Sequence, residues 1–236
     1  MEFAILAAGE GSRLKKGGIS GSKPMAMLNG VSLIERLMRI FLNNGAEKLH
    51  VIVNEASPDV EAFLGSLQLQ VPLLIVKQNT PSSLHSFYAL MPNIQSDAFC
   101  LTTVDTVFEE EEFLRYIQAF QADSSLDGLM AVTSFVDDES PLWVEADSEL
   151  KIVGFKDNRS AGAGYVSGGI YCLRKSVLPT VTKAVGSGVQ RMRNFQRLML
   201  DEGLRLKAYP FSKIIDIDRK EDLELAEAWL GIDYKS

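Results

Sequence analysis

Small and basic residues of the kind that bind phosphate are concentrated in residues 6–28, which read LAAGEGSRLKKGGISGSKPMAML. Glycine lets a backbone approach a ligand closely, and backbone N–H groups together with positive charge attract phosphate. Gly9 and Gly11 would allow that approach. Arg13 is suited to clamp terminal phosphates in bidentate fashion, and Lys23 to neutralise the phosphate under attack. The alternative interpretation is a solvated basic loop that binds nothing.

The segment matches neither of two familiar phosphate-binding motifs. A dinucleotide-binding fingerprint needs a third glycine where this sequence has Leu14, and a P-loop needs Gly-Lys-Ser/Thr where it has GSKP. What remains is the pattern Gly-x-Gly-x-Arg, residues 9–13, followed by Lys23 and Pro24. A phosphate site here would therefore be of another kind.

Acidic residues lie where a metal-assisted phosphate site would need them. Asp105 follows the apolar run 99–104, and α/β sheets place ligands at the carboxyl ends of their strands. A hard carboxylate suits Mg²⁺, which binds phosphate oxygens. Near the C-terminus, KIIDID carries Asp216 and Asp218, which a strand would place on one face. The alternative interpretation of these carboxylates is that they cap the helices that follow.

These segments together resemble the signature of nucleotidyltransferases with a GT-A-type α/β fold. That family includes nucleotide-sugar pyrophosphorylases, cytidylyltransferases and the molybdenum-cofactor nucleotidyltransferase-like (MobA-like) group. The resemblance implies that Arg13 holds the departing pyrophosphate, that Lys23 contacts the α-phosphate, and that both are catalytic together with Asp105. It also implies Mg²⁺ bound by Asp105, Asp216 and Asp218, without an organic cofactor. The implied nucleotide-binding residues are Ala7, Ala8, Gly9, Gly11, Ser12, Arg13, Gln78, Ser82 and Ser83.

The base-binding part of the resemblance rests on VKQNTPSSLHSFYAL. Gln78 corresponds to a glutamine that reads the base in sugar-nucleotide members, and Ser82 and Ser83 stand where small residues follow it. Hydroxyl groups and a helix N-terminus bind a base or a phosphate equally well. The identity of the base is therefore left open.

The acceptor-binding part of the resemblance is looser. LKIVGFKDN resembles a family strand ending in F-x-E-K, which implies that Lys156 meets the acceptor phosphate, although Phe155 replaces the acidic residue. YVSGGIYCL resembles an N-A-G-I-Y strand, which implies that Gly168 and Gly169 approach the acceptor, with Ser167 in place of the asparagine. The acceptor need not be a sugar ring.

Composition limits the classes of partner. The chain has 236 residues, 46% of them hydrophobic, and a formal net charge of −7. Residues 1–50 carry seven Lys/Arg against four Asp/Glu, a local +3, so the remainder carries −10. A basic patch on an acidic protein favours a small anionic ligand over nucleic acid. We expect no membrane partner and no secretory signal, buried free thiols at Cys100 and Cys172, and a cytoplasmic protein. Monomer and homodimer both stay open.

Apolar runs of strand length alternate with helical patterns, which indicates a mostly parallel sheet covered on both faces. We predict a three-layer α/β/α Rossmann-like fold of GT-A type in one domain, with a mixed central sheet. Nucleotide binding is assigned to about 1–125, a small inserted mixed-sheet acceptor region to about 126–211, and metal binding to 212–236. Strands are predicted at 3–7, 49–53, 71–76, 99–104, 128–135, 142–146, 150–155, 165–173 and 206–211. Helices are predicted at 31–44, 59–67, 82–90, 109–122, 176–185, 190–202 and 222–230.

The expected activity is Mg²⁺-dependent transfer of a nucleotidyl group from an NTP to a phosphorylated small molecule, either a sugar 1-phosphate or a phosphocholine-like acceptor, with release of pyrophosphate. Two alternatives come from other classes of protein. A GT-A glycosyltransferase that uses a nucleotide sugar would explain Asp-x-Asp at 216–218 but not the glycine loop. A non-catalytic module that binds nucleotides or sugar phosphates would explain the loop but has little need of the carboxylates.

Overall fold

The computed structural model describes residues 1–137, 139–160 and 162–233, with side chains up to residue 231. The last three residues of the predicted metal-binding segment 212–236 lie outside this range. The strands are β1 Glu2–Ala7, β2 Met27–Leu28, β3 Val31–Ser32, β4 Lys48–Val53, β5 Leu73–Lys77, β6 Ala98–Thr103, β7 Thr106–Val107, β8 Gly128–Thr133, β9 Trp143–Ala146, β10 Ile152–Lys156, β11 Ala163–Arg174, β12 Leu206–Phe211 and β13 Ile215–Asp216. The helices are α1 Ser12–Lys16, α2 Leu33–Asn43, α3 Pro58–Ser66, α4 Ser83–Leu90, α5 Glu110–Ala122, α6 Leu178–Gly186, α7 Met192–Asp201 and α8 Lys220–Asp233.

Within the described residues, one nine-stranded mixed sheet runs through the molecule. Strands β5, β4, β1 and β6 are parallel neighbours, as apolar strands separated by helices predict. The long strand β11 pairs antiparallel with β6 and then with β8 and β9. Strand β12 extends the sheet in parallel beside β8. The carboxyl ends of β1, β4 and β6 therefore lie side by side, at the edge where ligands bind in such sheets.

Helices cover both faces of this sheet. Alternate residues of β1 divide between two apolar cores, with Phe3 and Ile5 in one and Ala4 and Leu6 in the other. The first core packs against α2, α3, α5 and α8, and the second against α4, α6 and α7. Burial of a large apolar side chain contributes about 1.5–3 kcal/mol, so both faces stabilise the sheet. The predicted α/β/α fold is confirmed.

One predicted helix boundary differs from the structure, and two other regions gain detail. The helix predicted at 31–44 starts at Leu33, because Val31–Ser32 pairs with Met27–Leu28 and the Ser32 hydroxyl accepts from the Glu35 N–H at the helix start. The strands predicted within the mixed-sheet region at about 126–211 are present, and they extend the central sheet. The glycine-rich segment contains helix α1 and a 3₁₀ turn at Lys23–Met25.

Among residues 1–137, 139–160 and 162–233, no helix is long and apolar enough to cross a membrane.

Candidate functional site

The glycine loop folds back on itself so that Gly11 lies against the side chain of Lys23. Gly11 has φ +61°, and a Cβ at this position would lie 2.6 Å from the Cβ of Lys23. Glycine meets both requirements, because it tolerates a left-handed backbone and has no Cβ to clash. Helix α1 starts at the next residue and carries Arg13. The loop thus brings two cations towards the same end of the sheet.

Lys23 joins two carboxylates from distant parts of the sequence. Its Nζ donates to Oδ2 of Asp105, just beyond β6. It also donates to Oδ1 of Asp218, 2.7 Å away and beyond β13. The Lys23 side chain is 9% exposed. Arg13 Nη1 donates to the other oxygen of Asp218 at 3.0 Å. Four charged side chains from three segments therefore form one cluster.

Burial and charge act in opposite directions on the Lys23–Asp105 pair. Burial favours the neutral forms, so it would lower the pKa of Lys23 and raise that of Asp105. The attraction between the two groups reverses both effects. The pKa of Lys23 is raised above its ordinary value, and the pKa of Asp105 is lowered. Both groups are charged at neutral pH, and removing one partner of a buried pair typically costs about 3–5 kcal/mol.

Asp105 keeps one oxygen available for another ligand. Its Oδ1 is buried and has no hydrogen-bond partner among the described residues. The Thr103 hydroxyl lies near enough to help lower the Asp105 pKa, but it makes no well-formed hydrogen bond to Oδ1. A buried carboxylate oxygen without a donor is costly, and a cation or a bound water would satisfy it.

Asp216 lies beside this cluster rather than in it. It pairs with Thr106 in the short β13–β7 ladder, and the Thr106 hydroxyl donates to its Oδ1 over 3.4 Å. The Thr103 and Thr106 hydroxyls are 2.8 Å apart. Gly169 has φ +74°, and a Cβ there would be 3.1 Å from Thr106 Oγ1. Two threonines that the sequence analysis did not single out therefore connect the surroundings of Asp105 to Asp216.

The prediction that Asp216 and Asp218 share one strand face is wrong, because β13 ends at Asp216. The Ile217 N–H still donates to the Asp105 carbonyl at 2.9 Å. The Asp222 carboxylate then accepts from the N–H groups of Asp218 and Arg219, at 2.8 and 2.7 Å. This cap turns the chain into α8, and the Asp218 side chain meets Lys23 from the turn.

A cavity of about 800 Å³ opens beside the cluster at the carboxyl ends of β1, β4 and β6. Most of the predicted nucleotide-binding residues line it, together with Lys23, Asp105 and Asp218. Those lining residues are Ala8, Gly9, Gly11, Ser12, Arg13, Ser82 and Ser83. Ala7 is not on this lining, because it ends β1 and packs into the apolar core that contains Phe3 and Ile5. Gln78 is exposed just beyond the edge strand β5, and its backbone N–H donates to Val53.

Polar residues that the sequence analysis did not select also line this cavity. Asn54 directly follows β4, so the rule that identified Asp105 would have found it. Asn79 and Thr80 take the place expected for Gln78. The Thr80 and Ser86 hydroxyls are 2.6 Å apart. Such a lining offers hydrogen-bond donors and acceptors suited to a base or a ribose.

A second, smaller cavity of about 110 Å³ adjoins the first. Arg13 and Asp218 line both cavities, while Gly168 and Asp216 line the smaller one. Lys156 lies outside both linings and sits 3.7 Å from Glu145 Oε2. The structure thus brings Gly168, but not Lys156, to the smaller cavity.

A third cavity, of about 1140 Å³, contains none of the predicted site residues. It lies between α2, α5 and α8 and is lined by both cations and acids, including Arg39, Arg115 and Glu110. Its size alone does not make it the reaction site, because the convergent charges surround the other two cavities.

The residues present fit a divalent cation bound together with a ligand. The described residues contain no cluster of three or more His, Cys, Asp or Glu that would hold a metal unaided. Asp105 and Asp218 nevertheless both bind the ammonium of Lys23, which is a cation held between two carboxylates. Hard oxygen donors of this kind suit Mg²⁺, which usually completes its shell with phosphate oxygens and water.

A family model described as the MobA-like NTP transferase domain matches residues 3–201. The match includes the glycine loop, Lys23 and Asp105 but ends before Asp216 and Asp218. No curated protein matches the chain.

Solved structures with the same fold cover nearly the whole chain at low identity. The inositol-1-phosphate CTP transferase from T. maritima has a TM-score of 0.82 and 23% identity, over 99% of this chain and 96% of that one. A putative glucose-1-phosphate thymidylyltransferase from Bacillus anthracis has a TM-score of 0.84 and 20% identity, over 97% of this chain and 94% of that one. UDP-glucose pyrophosphorylase from Acinetobacter baumanii has a TM-score of 0.82 and 15% identity, over 100% of this chain and 94% of that one. At this identity the likeness establishes the fold.

Proposed function

Since the chain belongs to the MobA-like NTP transferase family, we propose that it transfers a nucleotidyl group from an NTP to a phosphorylated small molecule and releases pyrophosphate. The observation that carries the proposal is the position of Lys23. Its ammonium lies with Asp105, Asp218 and Arg13 where the cavity of about 800 Å³ meets the cavity of about 110 Å³. The NTP occupies the 800 Å³ cavity, and the acceptor approaches from the 110 Å³ cavity.

The reaction needs positioning and charge neutralisation more than proton transfer. An oxygen of the acceptor phosphate bonds to the α-phosphorus while the bond to the bridging β-phosphate oxygen breaks, and pyrophosphate leaves with that electron pair. A phosphate monoester is already an anion near neutral pH, so no histidine base or covalent serine is required. Lys23 neutralises the α-phosphate and Arg13 holds the pyrophosphate, which is electrostatic catalysis by fixed charges.

We place Mg²⁺ at the oxygens of Asp105 and Asp218, with Asp216 beyond Thr106 as a further carboxylate. The ion supplies additional neutralisation of the phosphate charge when it is bound. The unpartnered buried oxygen of Asp105 supports this placement.

Two acceptor classes remain in the proposal. Carboxylates line the smaller cavity, including Asp137 and Glu139 as well as Asp216. They would accept hydrogen bonds from the hydroxyl groups of a sugar or polyol phosphate, and they would also attract the ammonium group of a phosphocholine-like acceptor. Glucose 1-phosphate, inositol 1-phosphate and phosphocholine represent these classes. A cytoplasmic location is part of the same proposal, since NTPs and free thiols belong to that compartment.

The proposal is tested by pyrophosphate release with CTP, UTP, GTP, ATP and dTTP against each of the three acceptors, with Mg²⁺ and with EDTA. We expect one pair of substrates to release pyrophosphate only with Mg²⁺ and to yield a nucleoside diphosphate-linked product by mass spectrometry. Lys23→Ala should lower kcat far more than nucleotide affinity, whereas Lys16→Ala, an exposed cation on the same loop, should change neither.

Other products would support other functions. Hydrolysis or glycosyl transfer from a nucleotide sugar, without any reaction of an NTP, would identify a glycosyltransferase. Nucleotide binding that does not depend on metal, with no turnover of any pair, would identify a binding module.

A further inference from the structure

The ammonium of Lys23 stands where a cation between Asp105 and Asp218 would stand. It contacts both carboxylates directly, and its side chain is almost completely buried. These two carboxylates come from the middle and the C-terminal part of the sequence and share this one cation. Asp218 receives a second positive charge from Arg13. A divalent ion approaching the two carboxylates therefore meets a site that already contains positive charge.

We propose that Lys23 closes the metal site in the free protein, so that the divalent ion binds together with the nucleotide and not before it. This inference rests on the proposed function, because it needs an anionic ligand that attracts Lys23. The glycine loop supplies such a position, since Gly9 and Gly11 line the same cavity as Lys23. An α-phosphate bound there gives the ammonium a new anionic partner.

Charge balance explains why the two events are linked. In the free protein Asp105 and Asp218 are neutralised by Lys23 and Arg13. A nucleotide triphosphate brings several negative charges and attracts both cations away from the carboxylates. Asp105 is then left without a cation, and leaving its largely buried charge unpaired is costly, whereas the more exposed Asp218 is partly hydrated. A divalent ion that also contacts the phosphates removes that cost.

Gly11 restricts how Lys23 leaves the carboxylates. Because the Cβ of Lys23 lies directly against Gly11, the site opens by rotation of the Lys23 side chain beyond its Cβ, together with movement of the Arg13 side chain away from Asp218.

The test is the affinity for Mn²⁺, a paramagnetic substitute for Mg²⁺ whose free concentration is read by electron paramagnetic resonance. Wild type, Lys23→Met and Lys23→Gln are titrated without nucleotide, and Lys16→Met serves as the control that removes an equivalent charge from the same loop. We expect Kd for Mn²⁺ to fall at least about tenfold in both Lys23 variants, equivalent to about 1.4 kcal/mol, and to stay unchanged in Lys16→Met. The double variant Lys23→Met, Asp105→Asn should lose the gain.

The outcomes separate this inference from the proposed function. Equal Mn²⁺ affinity in folded wild type and both Lys23 variants overturns the inference, even if wild type releases pyrophosphate from an NTP. A gain in affinity in the Lys23 variants, in a protein that turns over no NTP, supports the closed site and contradicts the proposed function. Circular dichroism establishes that each variant is folded, and Lys23→Gln, which retains hydrogen bonding, replaces Lys23→Met if the latter does not fold.

Discussion

Gly11 and Lys23 are in direct contact across the glycine loop, with no room for a side chain at residue 11. The contact couples a backbone requirement, φ +61° at Gly11, to the position of the cation that binds Asp105 and Asp218. A change at Gly11 therefore reaches the reaction site through Lys23.

Gly11→Ala should reduce kcat about 100-fold, because a misplacement of about 1 Å can cost that much. It should also lower the free energy of unfolding by about 1–2 kcal/mol through the left-handed backbone. Gly18→Ala is the matched control, since Gly18 has φ +87° but nothing within 4 Å of its Cβ position. Steady-state kinetics and melting curves of both variants provide the comparison. Equal kinetic losses in the two variants would mean that backbone strain alone, and not contact with Lys23, explains the effect.

Asp105→Asn should lower turnover by roughly 100-fold or more, since it removes one fixed charge from the reacting centre. The change is nearly isosteric and leaves Asp218 bound to Lys23, so the protein should remain folded. Glu10→Gln is a suitable control, because Glu10 lines the same cavity and is exposed. Pyrophosphate release measures the rate, and thermal melting shows whether the variant is folded. An Asp105→Asn variant with near wild-type turnover would exclude this carboxylate from the reaction.

Gly169→Ala should raise the Mg²⁺ concentration needed for half-maximal rate, because its Cβ would crowd the Thr106 hydroxyl that holds Asp216. Gly203 has a similar φ of +76° and nothing within 4 Å of its Cβ position, so Gly203→Ala controls for backbone strain. The rate is measured against Mg²⁺ concentration for both variants. If Gly169→Ala changes only stability and leaves the Mg²⁺ dependence as in Gly203→Ala, then Asp216 is not part of the metal site.

Much of the site was predictable because each residue type follows from a local rule. A carboxylate after a buried strand predicted Asp105, and glycine with basic residues predicted the loop around Lys23. Contacts over long distances were not predictable in the same way. The placement of Asp218 depends on the Asp222 cap, and the exposure of Gln78 depends on β5 being an edge strand. Neither is visible in a short window of sequence.

The buried pair of His50 and Glu2 should make stability depend on pH. Nε2 of His50 is 2.6 Å from Glu2 Oε2, and Nδ1 is buried without a partner among the described residues. Burial lowers the pKa of His50 below its ordinary 6.5, so the unfolded chain binds a proton first, and stability is lost as pH falls below about 6.5. Hydrogen bonds to the carboxylate hold the pKa of Glu2 below 4.5 despite its burial, which adds a second loss below that pH.

His50→Gln should therefore make the melting temperature less dependent on pH between pH 7 and 5. His85→Gln, at the other histidine of the chain, is the control and should retain the wild-type slope. Differential scanning calorimetry in matched buffers measures both variants. If the slope in His50→Gln is the same as in wild type, the pKa of His50 does not differ between the folded and unfolded states.

The most direct test of the central claim is the melting temperature of the wild-type protein with each of CTP, UTP, GTP, ATP and dTTP, with and without Mg²⁺. A ligand at 100 times its Kd adds about 2.7 kcal/mol, which for a chain of this size raises the melting temperature by about 5–10 °C. We expect that at least one nucleotide produces this shift and that Mg²⁺ enlarges it, while Mg²⁺ alone has little effect. If no nucleotide shifts the curve, the cavity beside Lys23 is not a nucleotide site and the proposed function is contradicted.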